Sequence, residues 1–295
     1  YGLEVGFSGE SEFLGIIEQA MGAEMKGAWG ALLKNEGVSG EPNITSVSYI
    51  AMTIGLLRRL GVPVTGDPPR DIRVAPKMLA GFSMAMEADA SSATYPAAAA
   101  VLIDGSRVDL RGVGGLNAES LQGDAEFLSA VCLNSTEGGR AGSAGGSMVF
   151  GVGPVRGVSH DMRNMPDAAM TMAVVNAFAE HPTELRGLKT LRVKETDRIA
   201  ALVTELAKVG VRIEPFTYPN DAGHPDEGVR VTPPPGGIRC SPAAPRVEFD
   251  TYNDHRMAMS LALIGLRRPN VYVRDPGCVR KTYPTFWRDL AKAYG

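Results

Sequence analysis

Leu191-Arg192-Val193-Lys194-Glu195-Thr196-Asp197-Arg198 sets basic and acidic side chains between an apolar, strand-like lead and an amphipathic run. From there the apolar residues fall at Ile199, Leu202, Val203, Leu206 and Val209, the three-and-four spacing of one helical face. Gly210 stops the run, and Thr196 is the expected N-cap. Lys194, Glu195 and Arg198 then stand at a helix mouth, where free N–H groups and the dipole favour an anion. A charged first turn that only solvates a helix start reads the same way, so the octet needs companions.

Upstream, Tyr49, Ile50, Thr53, Ile54, Leu57 and Leu60 mark a second amphipathic helix, stopped by Gly61 and followed by Val62-Pro63-Val64. A turn around Asp67-Pro68-Pro69 then leads to a strand, Ile72-Arg73-Val74. The same succession follows the octet: Leu206-Ala207-Lys208-Val209-Gly210, then Val211-Arg212-Ile213, a polar loop and Val229-Arg230-Val231. Residue 206 aligns with residue 57, a spacing of 149, and the pattern predicts a repeated α-then-β unit.

At 295 residues, two domains are expected; 44% hydrophobic and 21% charged residues describe an ordinary soluble protein with a substantial core. A net charge of −3 argues against nucleic acid or an anionic membrane as partner. Cys132, Cys240 and Cys278 are too scattered for a disulfide framework, and neither they nor the four histidines have metal-ligand spacing. No run approaches the roughly 18 apolar residues of a membrane span. No signal peptide is visible, although the chain opens on Tyr1 rather than methionine.

Residues 1–43 are the least legible; helices near 13–17 and 28–33 are interrupted by glycines. Asp89 or a neighbouring serine is a natural N-cap ahead of the alanines at 97–100. Residues 134–158 are rich in Gly and Ser without a phosphate-loop lysine, and read as a loop. Pro166 and Asp167 open a helix expected over 168–180, Asp254 and Arg256 head another over 257–266, and Lys281 precedes a closing helix begun by Pro284.

Brought together, these heads give three or four cations among two or three carboxylates. There is no Ser-His or Cys-His pair, nucleotide loop or metal set to go with them. Arginines and lysines at helix mouths suit small phosphorylated or carboxylated substrates, and the carboxylates suit proton transfer. This is the chemistry of an enzyme acting on small anionic metabolites without a cofactor.

Six motifs, in order, resemble the 5-enolpyruvylshikimate-3-phosphate synthase family: residues 87–95, Leu121-Gln122-Gly123-Asp124, Met165-Pro166-Asp167-Ala168-Ala169-Met170-Thr171, the octet, Asp254-His255-Arg256-Met257-Ala258-Met259, and residues 275–284. The resemblance covers roughly residues 44–295. It implies a two-domain inside-out α/β barrel of the enolpyruvyl transferase type, built from repeated α/β units with buried helices. Residues 1–86 would be a partial domain on the shikimate-phosphate side, and 87–295 a nearly complete second domain holding phosphoenolpyruvate. By resemblance Asp167 is the base near the attacking hydroxyl, Glu195 transfers protons at the methylene carbon, and Lys194 bridges the substrates. Arg198, Arg256 and Lys281 would hold phosphoenolpyruvate, with Asp254 beside them; Ser11, Ser46 and Tyr49 would line the shikimate phosphate. The substrates implied are shikimate 3-phosphate and phosphoenolpyruvate, with no cofactor or metal, in the cytoplasm or a plastid.

The sequence departs from the family pattern in places. The Ser-Ser-Gln phosphate contact would fall on Glu10-Ser11-Glu12, Thr190 replaces a common Asn, and residues 134–149 replace an ordered helix end and strand. The family's first third has no counterpart, so a fragment is expected. A non-catalytic binding remnant, a segment of a multi-enzyme chain, and the sister transferase acting on UDP-N-acetylglucosamine are the alternatives. The last relies on a cysteine loop that none of the three cysteines matches.

Overall fold

Residues 169–176 read Ala-Met-Thr-Met-Ala-Val-Val-Asn, with no charge and no polar face, so a helix there must be covered on every side. The computed structural model describes residues 4–6, 47–66, 72–79, 81–113, 120–135, 146–150, 153–221 and 223–294. The chain divides into two compact units, Tyr1–Glu87 and Ala88–Gly295.

The first unit contains β1 (Glu4–Gly6), α1 (Val47–Arg59), β2 (Val64–Thr65), β3 (Arg73–Val74) and β4 (Ser83–Ala85). β1 pairs antiparallel with β4, and β2 with β3. The predicted apolar face of α1 buries Ile54 and Leu57 against Val62 and Val64, forming a small core.

The second unit contains α2 (Ala90–Leu102), β5 (Arg107–Arg111), α3 (Glu126–Cys132), β6 (Gly146–Phe150), β7 (His160–Asp161), α4 (Ala169–Asn176) and β8 (Thr183–Arg186). There follow α5 (Arg198–Ala207), β9 (Arg212–Pro219), β10 (Pro225–Thr232), β11 (Val247–Phe249), α6 (His255–Ala262), β12 (Val271–Val273) and α7 (Phe286–Tyr294). One four-stranded sheet has the order β7-β8-β10-β9, parallel only between β7 and β8. β5 and β6 pair antiparallel, β11 and β12 parallel.

All eight residues of α4 are buried, and in α6 every residue but Arg256. α4 packs between α2 and α6, and Thr171 Oγ1 meets Ser260 Oγ at 3.0 Å, satisfying two hydroxyls in an otherwise apolar seam. The strands lie around these helices with alternate side chains exposed, as in β5 and β9.

The repeat appears as hydrogen bonds. Gly61, at φ +73, donates to Arg58 O at 2.9 Å, and Val62 N donates to Leu57 O at 2.9 Å. Gly210, at φ +84, donates to Ala207 O at 3.0 Å, and Val211 N to Leu206 O at 3.1 Å. Each is the paired closure of a Schellman turn, whose left-handed residue glycine adopts without strain. Both turns deliver the chain into an antiparallel hairpin.

Several sequence expectations change. Thr196 does not cap α5; Asp197 does, accepting from Ala200 N at 2.9 Å. A carboxylate adds to the hydrogen bond a charge that the helix start favours. The strand-like lead is the 3₁₀ turn Lys189–Val193, closed by Leu191 N on Leu188 O at 2.9 Å. α4 stops at Asn176 rather than 180, because Phe178 and Ala179 close tighter i−3 bonds and Glu180 N turns out to Val155 O. Within the stretch read as a loop, Gly146–Phe150 is a strand, held by pairing along the whole of β5. Residues 136–145 and 151–152 lie outside the described residues. So do Glu10, Ser11, Glu12, Ser46, the helices expected near 13–17 and 28–33, and the turn at 67–69.

Candidate active site

Four element heads meet in the second unit: the 3₁₀ turn Pro166–Ala168 that leads into α4, the starts of α5 and α6, and the 3₁₀ turn Pro276–Lys281. Arg198 joins them. Its side chain is 1% exposed, and all three nitrogens engage carboxylates: Nε donates to Asp254 Oδ2 at 2.7 Å, Nη1 to Asp167 Oδ1 at 2.9 Å, and Nη2 to Glu195 Oε2 at 2.8 Å.

Asp254 is 0% exposed and also caps α6, its Oδ1 accepting from Arg256 N at 2.8 Å and Met257 N at 3.2 Å. Expected among the ligand contacts, it instead lies beneath Arg198 with no surface of its own. Asp167 and Glu195 carry further cations on the more open side. Lys194 Nζ stands 3.2 Å from Asp167 Oδ1, Arg256 Nη2 3.2 Å from Asp167 Oδ2, and Lys281 Nζ 2.6 Å from Glu195 Oε1. Lys281 is the most accessible, at 59% exposed.

Burial pushes the carboxyls of Asp167 and Glu195 up, but the cations outweigh it. The hydrogen bond from Lys281, with the charges of Arg198 and Lys281, brings Glu195 down to about 2. Arg256, Lys194 and Arg198 hold Asp167 below the usual carboxylate range. Without a ligand both are ionised, and each is a base with a cation at hand.

The structure adds residues to which the sequence reading gave no role. His255 is buried, its Nδ1 lacking a hydrogen-bond partner and lying 4.0 Å from Glu195 Oε1. Burial, then the Arg256 charge, lowers its pKa, so the imidazole is neutral near pH 7. Buried Tyr95 hydrogen-bonds Arg256, and Ser91 Oγ donates to the buried Asp124, which burial holds above the usual carboxylate range. Gln122 ties this corner to the chain, accepting from Ala90 N and donating to Ala88 O, both at 2.8 Å. The position of His255 between Asp254 and Arg256 was the available signal; Tyr95 and Asp124 lay in motifs already singled out.

Lys194, Glu195, Arg198, Asp167, Asp254, Arg256 and Lys281 are therefore assembled in one place. Tyr49 lies in the first turn of α1, in the first unit, where its carbonyl accepts from Thr53 Oγ1. Among the described residues no group of three His, Cys, Asp or Glu is arranged to hold a metal ion, and no helix is long and apolar enough to cross a membrane.

A family model described as EPSP synthase (3-phosphoshikimate 1-carboxyvinyltransferase) matches residues 30–290. The chain belongs to the EPSP synthase family. The 3-phosphoshikimate 1-carboxyvinyltransferase of Thiobacillus denitrificans is 39% identical over 255 residues, which are 84% of this chain and 54% of the relative. The chloroplastic form from Brassica napus is 36% identical over 255 residues, 84% of this chain and 46% of the relative. Among solved structures, EPSP synthase from Acinetobacter baumannii matches with a TM-score of 0.63 and 25% identity, over 87% of this chain and 56% of that one. The enolpyruvyl transferase NikO from Streptomyces tendae shares the fold at a TM-score of 0.55 and 19% identity, over 86% of this chain and 54% of that one. Buried helices ringed by strands are the inside-out α/β fold of these EPSP synthase structures. The chain spans about half the length of the curated relatives it matches.

Proposed function

We propose that this chain carries the phosphoenolpyruvate side of an enolpyruvyl transfer to the 5-hydroxyl of shikimate 3-phosphate, with release of phosphate. Residues 1–86 form a partial domain on the shikimate-phosphate side, and 87–295 a nearly complete catalytic domain. The observation that carries the reading is the pair of carboxylates, Asp167 and Glu195, bridged by buried Arg198 and each holding cations of its own. Two carboxylates so placed suit a reaction that removes a proton from oxygen and adds one to carbon.

In the addition, the hydroxyl oxygen bonds to C2 of phosphoenolpyruvate, its proton passes to Asp167, and C3 takes a proton from Glu195. In the elimination, the C2–O bond to phosphate breaks, C3 returns its proton to Glu195, and the departing phosphate takes the proton from Asp167. Glu195 must therefore enter protonated. The phosphate and carboxylate of the ligand draw Lys281 toward themselves and away from Glu195, which raises Glu195 from about 2 toward a range where it holds that proton. Lys194 stands between the two substrates, while Arg198, expected to hold phosphoenolpyruvate, has all three nitrogens on carboxylates and with Asp254 acts from beneath by fixing them and the start of α6. The setting is aqueous, cytoplasm or plastid.

The sister reaction on UDP-N-acetylglucosamine uses a cysteine loop that none of the three cysteines matches, and at two of them burial works against a nucleophilic thiolate, pushing Cys132 up to about 11 and raising Cys278. The second reading is a binding remnant that takes phosphoenolpyruvate without turnover. The test measures phosphate release from the two substrates, with the chain alone and with the N-terminal third of a relative fused ahead of it. Release that appears on fusion supports the transferase. Binding of phosphoenolpyruvate with no release from either protein establishes the remnant.

A further inference from the structure

Helix α5 grips residues 250–254 at two points. At its start, Arg198 Nε holds Asp254 Oδ2 at 2.7 Å. Two turns later Glu205, with a fully buried side chain, reaches the same segment: Oε2 accepts from Asp250 N at 2.9 Å, and Oε1 from Tyr252 Oη at 2.7 Å. Lys208 completes the contact, its Nζ lying 2.7 Å from Glu205 Oε2, 3.0 Å from Glu248 O and 3.2 Å from Asp250 Oδ2.

The gripped segment would not keep its shape unaided. Tyr252 and Asn253 stand at φ 56 and 54, two successive non-glycine residues in left-handed backbone. The turn they make is closed by Asp254 N on Thr251 O at 2.8 Å, and it delivers Asp254, His255 and Arg256 to the head of α6. A helix-internal ion pair with Lys208 would account for one oxygen of Glu205. It does not account for the bonds to residues 250 and 252, which use both oxygens across two elements. A fully buried carboxylate with no turn to hold is more readily replaced by an apolar side chain.

We propose that Glu205 is a positioning residue: it fixes the left-handed turn at 252–253 and so sets the direction from which Arg256 reaches Asp167 and the site's ligand. The ligand part rests on the function proposed above; the turn-holding part does not. The test uses the 295-residue chain with Glu205→Ala, Glu205→Gln and Tyr252→Phe, read by amide hydrogen exchange and by calorimetric titration with phosphoenolpyruvate.

Glutamine is the conservative variant, since its oxygen can accept from Asp250 N and Lys208 while its amide donates to Tyr252 Oη. Glu205→Ala is expected to speed exchange at the amides of 254, 256 and 257 by about tenfold or more, leaving the β9–β10 sheet unchanged. It is expected to weaken phosphoenolpyruvate binding by about ten- to a hundredfold, because a small misaim of Arg256 is costly. Glu205→Gln should stay within about threefold of the parent on both readouts, and Tyr252→Phe should speed local exchange about two- to tenfold, as for one lost hydrogen bond. Unchanged exchange at 254–257 in Glu205→Ala, or equal acceleration in the β9–β10 sheet, overturns the proposal. If Glu205→Ala does not fold, unchanged exchange in Tyr252→Phe overturns it instead. Failure of the parent to bind phosphoenolpyruvate refutes the functional reading, and the exchange data then still decide whether Glu205 holds the turn.

Discussion

Replacing Arg198 with methionine keeps the bulk of a buried side chain and removes the charge on which three carboxylates converge. The cost is not shared equally. Asp167 retains Lys194 and Arg256, each at 3.2 Å, and Glu195 retains Lys281 at 2.6 Å. Asp254, with no exposed surface, is left with two backbone amides and no counter-charge. Breaking a buried pair by removing one partner costs about 3–5 kcal/mol. For a unit the size of Ala88–Gly295, each 1 kcal/mol shifts the melting temperature by roughly 2–4 °C, so the expected fall is roughly 6–20 °C. Urea and thermal unfolding followed by circular dichroism measure it. Adding Asp254→Asn keeps an acceptor for the α6 cap but removes the orphaned charge, so the double variant should recover about 1.5 kcal/mol or more of the loss. A cost for Arg198→Met below about 1 kcal/mol, or effects of the two substitutions that simply add, would refute the reasoning that Asp254 depends on this one cation.

In the fused full-length protein, Asp167→Asn should lower kcat by about 10²–10⁴-fold with a much smaller change in phosphoenolpyruvate affinity. Steady-state kinetics that keep kcat within about tenfold would remove it from the role of base. Glu195 titrates at about 2 when folded against a usual 4.5, so the stability it contributes is complete above pH 4.5 and is lost as pH falls toward 2. Lys281→Met should flatten that part of the stability curve, and urea titrations at pH 6, 4 and 3 that run parallel for the two proteins would count against the pairing. Gly210→Ala puts a side chain at φ +84 with its Cβ 3.3 Å from Pro234 Cβ, and should cost about 1–2 kcal/mol in chemical denaturation. A neutral result would mean that the turn after α5 relaxes without loss.

What the sequence disclosed follows from where polarity varies. α1 and α5 each have one wet face, so their period shows, and Gly61 and Gly210 mark their ends because few other residues turn left-handed there. α4 is buried all round; with no polar face to fade, nothing in residues 177–180 marks its end. Thr196 and Asp197 are neighbours that both suit a cap; Asp197 also meets Arg192 at 3.0 Å, a contact that depends on the turn before it. The charged heads of α5, α6 and the turns at 166 and 276 stood out as charges at helix starts, which is why most of the site could be listed in advance. Which carboxylate went beneath Arg198 depended on long-range packing of residue 254 against 198. Glu205 looked like any acidic residue in a helix, since its partners lie some 45 positions away.

A helix buried on every side cannot be an early island of structure. α4 offers water no face, so it gains little by forming before α6 arrives, and its main helical partners, α2 and α6, come from sequence positions far on either side. Assembly of Ala88–Gly295 must wait for distant loops to close, which puts it among slow, high-contact-order folders. A nascent chain that has emerged only as far as α4 has α2 to lay against one side of Met170, Met172, Val174 and Val175, while the side that α6 will cover stays open to solvent. During that interval the chain's main hazard is association with other unfinished copies, and holding chaperones should bind it there most strongly.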